Sequence, residues 1–322
     1  MAVPTYATPL ERIWHYAYLV ICGLIFFFLI APIIVIIPLS FNAEPYFTFT
    51  DRMLSFYPEG YSMRWYRSLL TFGMQNPDAT GWAFWSDAWQ NANWVKAAKN
   101  SIIIGVFSTL VATVLGTLAA LGLSRPEMPF RRAIMAILIS PMIVPLIITA
   151  TGMFFFYSST CVDTTSTIGR LLAPMLSNSG CLANTYLGVI LAHATLGIPF
   201  VIITVTATLI GFDQSLNRAA ASLGANPRTT FFKVTMPLIL PGVISGALFA
   251  FVTSFDEVVA VLFIAGPEQQ TIPRQMWNGI REQISPAILA VATLLVIFSI
   301  ALLATVEMLR RRSERLRGVT PH

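Results

Sequence analysis

Long apolar runs alternate with short polar ones along this chain. Six of the runs, 17–41, 101–123, 133–157, 187–212, 241–265 and 288–309, are each long enough to cross the ~30 Å hydrocarbon core of a bilayer as an α-helix. The pattern predicts an all-α polytopic membrane protein with six transmembrane helices. Pro32 and Pro38 fall in the first run, Pro141 and Pro145 in the third and Pro199 in the fourth. Each removes a backbone donor that neighbouring helices must make good; the resulting kinks either open a cavity or are simply accommodated. Residues 42–100 form the largest non-membrane piece and are dense in aromatic rings. Trp82, Trp85 and Trp89 recur there at helical spacing, which predicts a short helix on the membrane surface or a platform for a soluble partner. The polar interlude 213–240 predicts two brief helices: Leu216, Ala219, Ala220 and Leu223 share one face, Gly224 suits a left-handed cap, Asn226 and Pro227 suit a cap and first turn, and Pro237 is expected to end the second helix. Phe231, Phe232 and Val234 would then offer apolar knobs. No low-complexity tract, linker or repeat divides the chain, so 1–322 is expected to be one transmembrane domain.

Composition places these helices in lipid. Of 322 residues 56% are apolar and 11% charged, against about a quarter charged in soluble domains. The first run is too long for a signal peptide's apolar core and lacks a small-x-small cleavage site, so it is expected to be retained. If six spans alternate, Arg12, Arg125, Arg131, Arg132, Arg218, Arg228, Lys233 and the tail Arg310, Arg311, Arg312, Arg315 and Arg317 share one side. The opposite side carries Arg170, Arg274 and Arg281 in its shorter loops, with five more basic residues in a loop of a length at which the rule weakens. Both termini are therefore expected in the cytoplasm. The pI of 9.3 needs no nucleic acid, because an Arg-rich tail can rest on anionic lipid headgroups. Cys22 lies inside the first span as a small buried residue. Cys161 and Cys181 share one loop on the oxidising side and are expected to form a disulfide, the alternative being two free thiols.

Candidate chemistry is sparse. Asp256 and Glu257 are the only acidic pair inside an apolar run; a carboxylate at such depth marks a pathway, an ion pair or a snorkelling side chain. Neighbours on a helix point about 100° apart, so the two are expected to do different jobs, one facing a cavity and one a neighbouring helix. His193 lies six residues before Pro199 and reads as an interior histidine or a pathway residue. With three histidines and no His-x-x-x-His or Cys-x-x-Cys spacing, a metal centre is not expected. Neither a Gly-x-Ser-x-Gly elbow nor a phosphate-binding loop is present, and none of Lys96, Lys99 and Lys233 follows a glycine. ATP hydrolysis cannot be assigned to this chain.

The 218–241 segment resembles the cytoplasmic coupling loop of binding-protein-dependent ABC importer permeases, which runs Glu-Ala-Ala, three residues, Gly, and ends near Ile-x-Leu-Pro. Ala219, Ala220, Gly224, Ile239, Leu240 and Pro241 match, whereas Arg218 stands where the family has Glu. Span four onward resembles the polyamine-type branch: Ala192-His-Ala-Thr-Leu-Gly-Ile-Pro-Phe200, Ser254-Phe-Asp-Glu257, Gly266-Pro267 with Thr271-Ile-Pro273, and Ser285-Pro286, with Tyr61-Ser-Met-Arg-Trp-Tyr66 after span one. Thr206 and Leu289 stand where the branch often has Arg and Asn, and either could line the pathway.

The resemblance implies a six-span permease with a coupling-helix loop between spans four and five. It implies a second permease chain, two cytoplasmic ATPase subunits carrying ATP and Mg, a periplasmic substrate-binding protein, and no cofactor in this chain. Arg218, Ala219, Ala220, Gly224, Pro227 and Phe231 would couple to the ATPase, and Asp256, Glu257, His193 and Phe255 would line the path of a polyamine or related cationic amine. Opines, amino acids and phosphonates are other cargoes of the branch. An ion-coupled secondary transporter using Asp256 and Glu257 would show inverted repeats, which are not visible, and a scaffold without transport leaves the carboxylates unexplained.

Overall fold

The structure, a computed structural model, describes residues 8–125, 127–162, 180–211, 213, 215–282 and 285–316. Arg170 and Arg317, counted above for orientation, lie outside them. Among the described residues there is no β-strand, only isolated bridges Asn42–Tyr61 and Cys161–Cys181. The helices are α1 (Pro9–Leu39), α2 (Asp51–Leu54), α3 (Arg64–Thr71), α4 (Trp82–Asn91), α5 (Asn93–Leu123), α6 (Arg131–Ile143), α7 (Leu146–Ser159), α8 (Tyr186–Ile210), α9 (Ser215–Ser222), α10 (Pro227–Thr230), α11 (Met236–Asp256), α12 (Val259–Ile264), α13 (Ile272–Glu282) and α14 (Ala287–Leu316). Among the described residues, five helical stretches are long and apolar enough to cross a membrane, in the ranges Pro9–Leu39, Asn93–Leu123, Tyr186–Ile210, Pro227–Asp256 and Ala287–Thr305; α6 and α7, bent by 104°, make a sixth if they count as one span. That bend follows from Pro145, which holds Val144 in an extended conformation (ψ 138°). Pro32, Pro38 and Pro199, by contrast, sit within continuous helices.

The chain divides into two compact units, 1–88 with 279–322, and 89–278. In the first, α14 packs against α1 and α3. Thr8 and Glu11 close a capping box at the start of α1, satisfying donors that the first turn leaves free. At its other end Trp65 Nε1 donates to Asn42 O (2.8 Å), and Tyr66 Oη lies 2.7 Å from Ser40 Oγ. The Trp-Tyr pair thus clips the start of α3 onto the end of α1. The predicted tryptophan helix forms as α4, with Trp82, Trp85 and Trp89 exposed.

The second unit is built on α5, α8 and α11. Its pairwise contacts, Gly116 against Val201, Gly197 against Ala112 and Ala250, and Gly246 against Val201, show α5 and α8 running parallel and α11 antiparallel to both. A Cβ on Gly246 would lie 2.8 Å from Val201 Cα, so the backbone approach is closed to any larger residue. On α5 every fourth residue, Asn100, Ile104, Ser108, Ala112, Gly116 and Ala120, is buried, because i, i+4 positions form one ridge. One end of the unit carries Asp256; the opposite end carries Gly224.

Two sequence expectations need correction. The fifth apolar run is not one helix over 241–265: α11 ends at Asp256, Glu257 is extended (ψ 123°), and α12 restarts at Val259. Nor does Pro237 stop the segment before it. A five-residue π turn, Phe231–Thr235, joins α10 to α11, with Met236 N bonded to Phe231 O; Pro237 sits in the first turn of α11, where a missing donor costs little.

Candidate functional site

At the Asp256 end the acidic pair separates. Asp256, the last residue of α11, is exposed. Glu257 is 8% exposed and its Oε1 accepts from Ala260 N at 2.9 Å, capping α12 in the manner of an N-cap acceptor. The helix break is what allows this: an extended residue between two helices can fold its carboxylate back onto the next free donors. The sequence pattern puts Asp256 well inside a span; it lies at the helix end instead.

Behind the pair is a buried polar link across three helices. His193, 1% exposed, places Nδ1 2.8 Å from Ser254 Oγ, and Ser108 Oγ donates to Ser254 Oγ at 2.9 Å. The histidine is therefore joined to α11 through a serine, not through a carboxylate. Phe255 stacks on Phe251 with centroids 5.7 Å apart and is half-buried. Thr206 is buried as well, so it does not open onto an accessible surface.

The segment between α12 and α13 is held from several sides. Asn100 Nδ2 donates to Glu268 O (2.8 Å) and Gln270 O (2.9 Å), Tyr186 Oη donates to Asn100 Oδ1 (2.8 Å), and Ile272 N donates to Ser101 Oγ (2.9 Å). Arg274 Nη1 donates to Ala265 O (2.8 Å) and Val261 O (3.1 Å), closing the C-terminus of α12 as a cation should. Burial draws the Arg274 guanidinium below the usual arginine range. Sequence reasoning missed this clamp. Arg274 reads in one dimension only as a loop charge, while Asn100 and Ser108 could have been found as polar members of the i, i+4 ridge on α5.

At the Gly224 end the two brief helices form as α9 and α10. Gly224 has φ +80°, a region that side-chain-bearing residues avoid, and Asn226 Oδ1 caps α10 by accepting from Thr229 N (2.8 Å). Asp213 Oδ1 accepts from Ser215 N (2.8 Å) before α9. The Ser215 backbone and hydroxyl, aided by Arg218, hold its carboxyl below the usual range. A carboxylate thus persists beside Arg218 although the loop's own acidic residue is absent. Arg218, Ala219, Gly224 and Pro227 are exposed and Ala220 is half-buried. The apolar knobs differ from expectation: Leu223 and Phe232 are 89% and 66% exposed, while Phe231 turns inward to line a cavity of about 540 Å³ with Leu121, Arg125, Asn217, Ala221 and Thr235. Successive helical residues point about 100° apart, so Phe231 and Phe232 face different sides. Cys161 and Cys181 are joined by a disulfide across their bridge.

Apolar helices long enough to cross a membrane, with a helix-loop-helix segment at one end and the exposed carboxylate of Asp256 at the other, define a polytopic membrane protein. Residues 112–315 match the model of the family described as binding-protein-dependent transport system inner membrane component, and the chain belongs to that family. Its ATPase is a separate chain. The spermidine/putrescine transport system permease protein PotC of Haemophilus influenzae is 27% identical over 289 residues, 90% of this chain and 94% of that protein. The putrescine transport system permease protein PotI of Escherichia coli K12 is 29% identical over 304 residues, 94% of each. Among solved structures, a bacterial ABC transporter that imports the acidic polysaccharide alginate matches 95% of this chain and 99% of its own with TM-score 0.63 at 18% identity. The same kind of transporter in complex with an alginate pentasaccharide-bound periplasmic protein matches with TM-score 0.59 at 16% identity, over 97% and 98% of the two chains. These two show the fold.

Proposed function

We propose that this chain is the permease subunit of an ATP-driven importer that moves a polyamine or related cationic amine from periplasm to cytoplasm by alternating access. The observation that carries the reading is Asp256: a lone exposed carboxylate closing an apolar helix whose other residues bear no charge. An exposed carboxylate at the end of an apolar helix attracts an ammonium group by charge. The polyamine names of the PotC and PotI relatives support the same cargo.

In this reading 1–322 is one permease domain with six spans, α6 and α7 making the third, and both termini lie in the cytoplasm. Loop 42–100 and the Cys161–Cys181 pair then face the periplasm, and the Gly224 end faces the cytoplasm. A second permease chain completes the path, a periplasmic binding protein delivers cargo at the Asp256 end, and two ATPase subunits holding ATP and Mg dock on Leu223, Phe232 and the Arg218–Gly224 segment. Closure of the ATPases pushes α9 and α10, and the π turn passes that movement to α11.

The test is uptake by the assembled complex with its own binding protein. Labelled spermidine or putrescine should accumulate in an ATP-dependent way, and an excess of an amino acid, an opine or a phosphonate should not compete. Competition by one of those three, with no amine uptake, overturns the cargo assignment.

A further inference from the structure

Phe249 lies seven residues before Asp256 on α11, so the two share a face, separated by two turns and about 10 Å along the axis. Both are open. Phe249 is 55% exposed and stacks on Phe200 of α8, centroids 6.1 Å apart and planes inclined by 20°. Val252, 48% exposed, lies between them. This strip differs from the other sides of α11. Gly246, Ala250 and Ser254 are buried against α5 and α8, and Phe251 packs on Gly105.

We propose that the Phe249–Phe200 pair is a second cation subsite, and that with Asp256 it selects elongated amines carrying charge at both ends. This rests on the cationic-amine reading given above. The face carries one negative charge and one stacked aromatic pair with an exposed ring. A carboxylate attracts an ammonium by charge, and a ring face attracts one through its quadrupole, most strongly where water is scarce. Stacking on Phe200 fixes the orientation of Phe249, so that little side-chain freedom is lost when a cation arrives. The separation makes the pair a ruler. A triamine such as spermidine spans two helical turns, whereas a four-carbon diamine such as putrescine is shorter and engages one subsite at a time. Phe249 is therefore a specificity-determining residue, with Phe200 as its positioning residue.

The experiment compares labelled spermidine and putrescine uptake by the assembled complex carrying Phe249→Leu, which keeps an apolar side chain and removes the ring, and Phe249→Trp, which restores a ring. Phe249→Leu should raise the KM for spermidine about tenfold and that for putrescine about threefold or less, with Vmax changed less than twofold. Phe249→Trp should return spermidine KM to within threefold of the parent. If the parent takes up amines and Phe249→Leu leaves both KM values unchanged, the subsite is wrong while the cargo reading stands. Loss of the second permease chain on co-purification of Phe249→Leu overturns it too, because the face is then a contact between permeases. Absence of uptake of either amine by the parent removes the cargo reading and the subsite together.

Discussion

The two ends of the α5–α8–α11 unit are held in opposite ways. At the Asp256 end, side chains of Asn100, Ser101, Tyr186, Arg274 and Glu257 each bond to backbone of another segment, and His193, Ser254 and Ser108 tie three helices together. At the Gly224 end, among the described residues, one side-chain bond, Thr235 Oγ1 to Asn217 Oδ1 at 3.2 Å, links α9 to the π turn, beside a cavity of about 540 Å³. Side-chain hydrogen bonds that join separate segments restrain a region, whereas empty space and an irregular helical turn let one segment shift past another. The contrast suits a subunit that must hold a selective surface still at one end while receiving a mechanical push at the other.

The largest effect should come from disturbing the loosely held end at its one strained point. Gly224 has open space around a would-be Cβ, so a substitution there acts through φ +80° alone. Gly224→Val should cost about 1–3 kcal/mol of local strain, reduce uptake more than tenfold and release the ATPase on purification. Gly224→Asn, which tolerates the left-handed region, should keep at least half of the uptake. Equal loss in both variants would point to surface contact rather than backbone geometry.

Removing a donor at the pinned end should act on stability first. Arg274→Met leaves the carbonyls of Val261 and Ala265 without their charged partner and should cost about 1.5–3 kcal/mol, read as a lower melting temperature of the purified complex. Asn100→Ala should cost about 1–3 kcal/mol on the same grounds and speed amide exchange across 266–272. The disulfide closes a loop with a sequence separation of 20, so Cys161→Ser with Cys181→Ser should cost about 3 kcal/mol in the chain-entropy model. Alkylation of both thiols in native protein without reductant would remove the pairing. Smallest is Ala221→Leu at the cavity: filling space should change stability by about 1 kcal/mol or less, yet lower Vmax two- to fivefold with KM unchanged, because the room for movement shrinks.

Much of this contrast is legible in the sequence, and the part that is not has a physical reason. Apolar run length announces the long helices, and Gly224 with Asn226 and Pro227 announces the turn between α9 and α10, because caps and left-handed residues are written locally. The end of α11 is not. Asp256 and Glu257 look alike in one dimension, and only the break after Asp256 turns one outward and the other onto Ala260 N. The π turn escapes as well, since Pro237 reads as a stop when the wider ring of hydrogen bonds is not foreseen. Arg274 and Asn100 act on carbonyls far along the chain, and no spacing rule connects them. Even so, the i, i+4 ridge on α5 and the i, i+7 relation of Phe249 to Asp256 are present as spacing and need only the fold to give them meaning.

The central claim, that the neighbouring carboxylates divide into one for cargo and one for structure, is tested most directly by measuring amine uptake kinetics for Asp256→Asn and Glu257→Gln side by side in the assembled complex. Glutamine keeps an oxygen acceptor for Ala260 N, so Glu257→Gln should transport within about twofold of the parent. Asp256→Asn removes the exposed charge, and a charge contact near 4 Å is worth about 4 kcal/mol at an effective dielectric of 20 before desolvation is subtracted, so the KM for spermidine should rise at least tenfold with the complex intact. Parent-like kinetics for Asp256→Asn, or a larger loss in Glu257→Gln, would contradict the account.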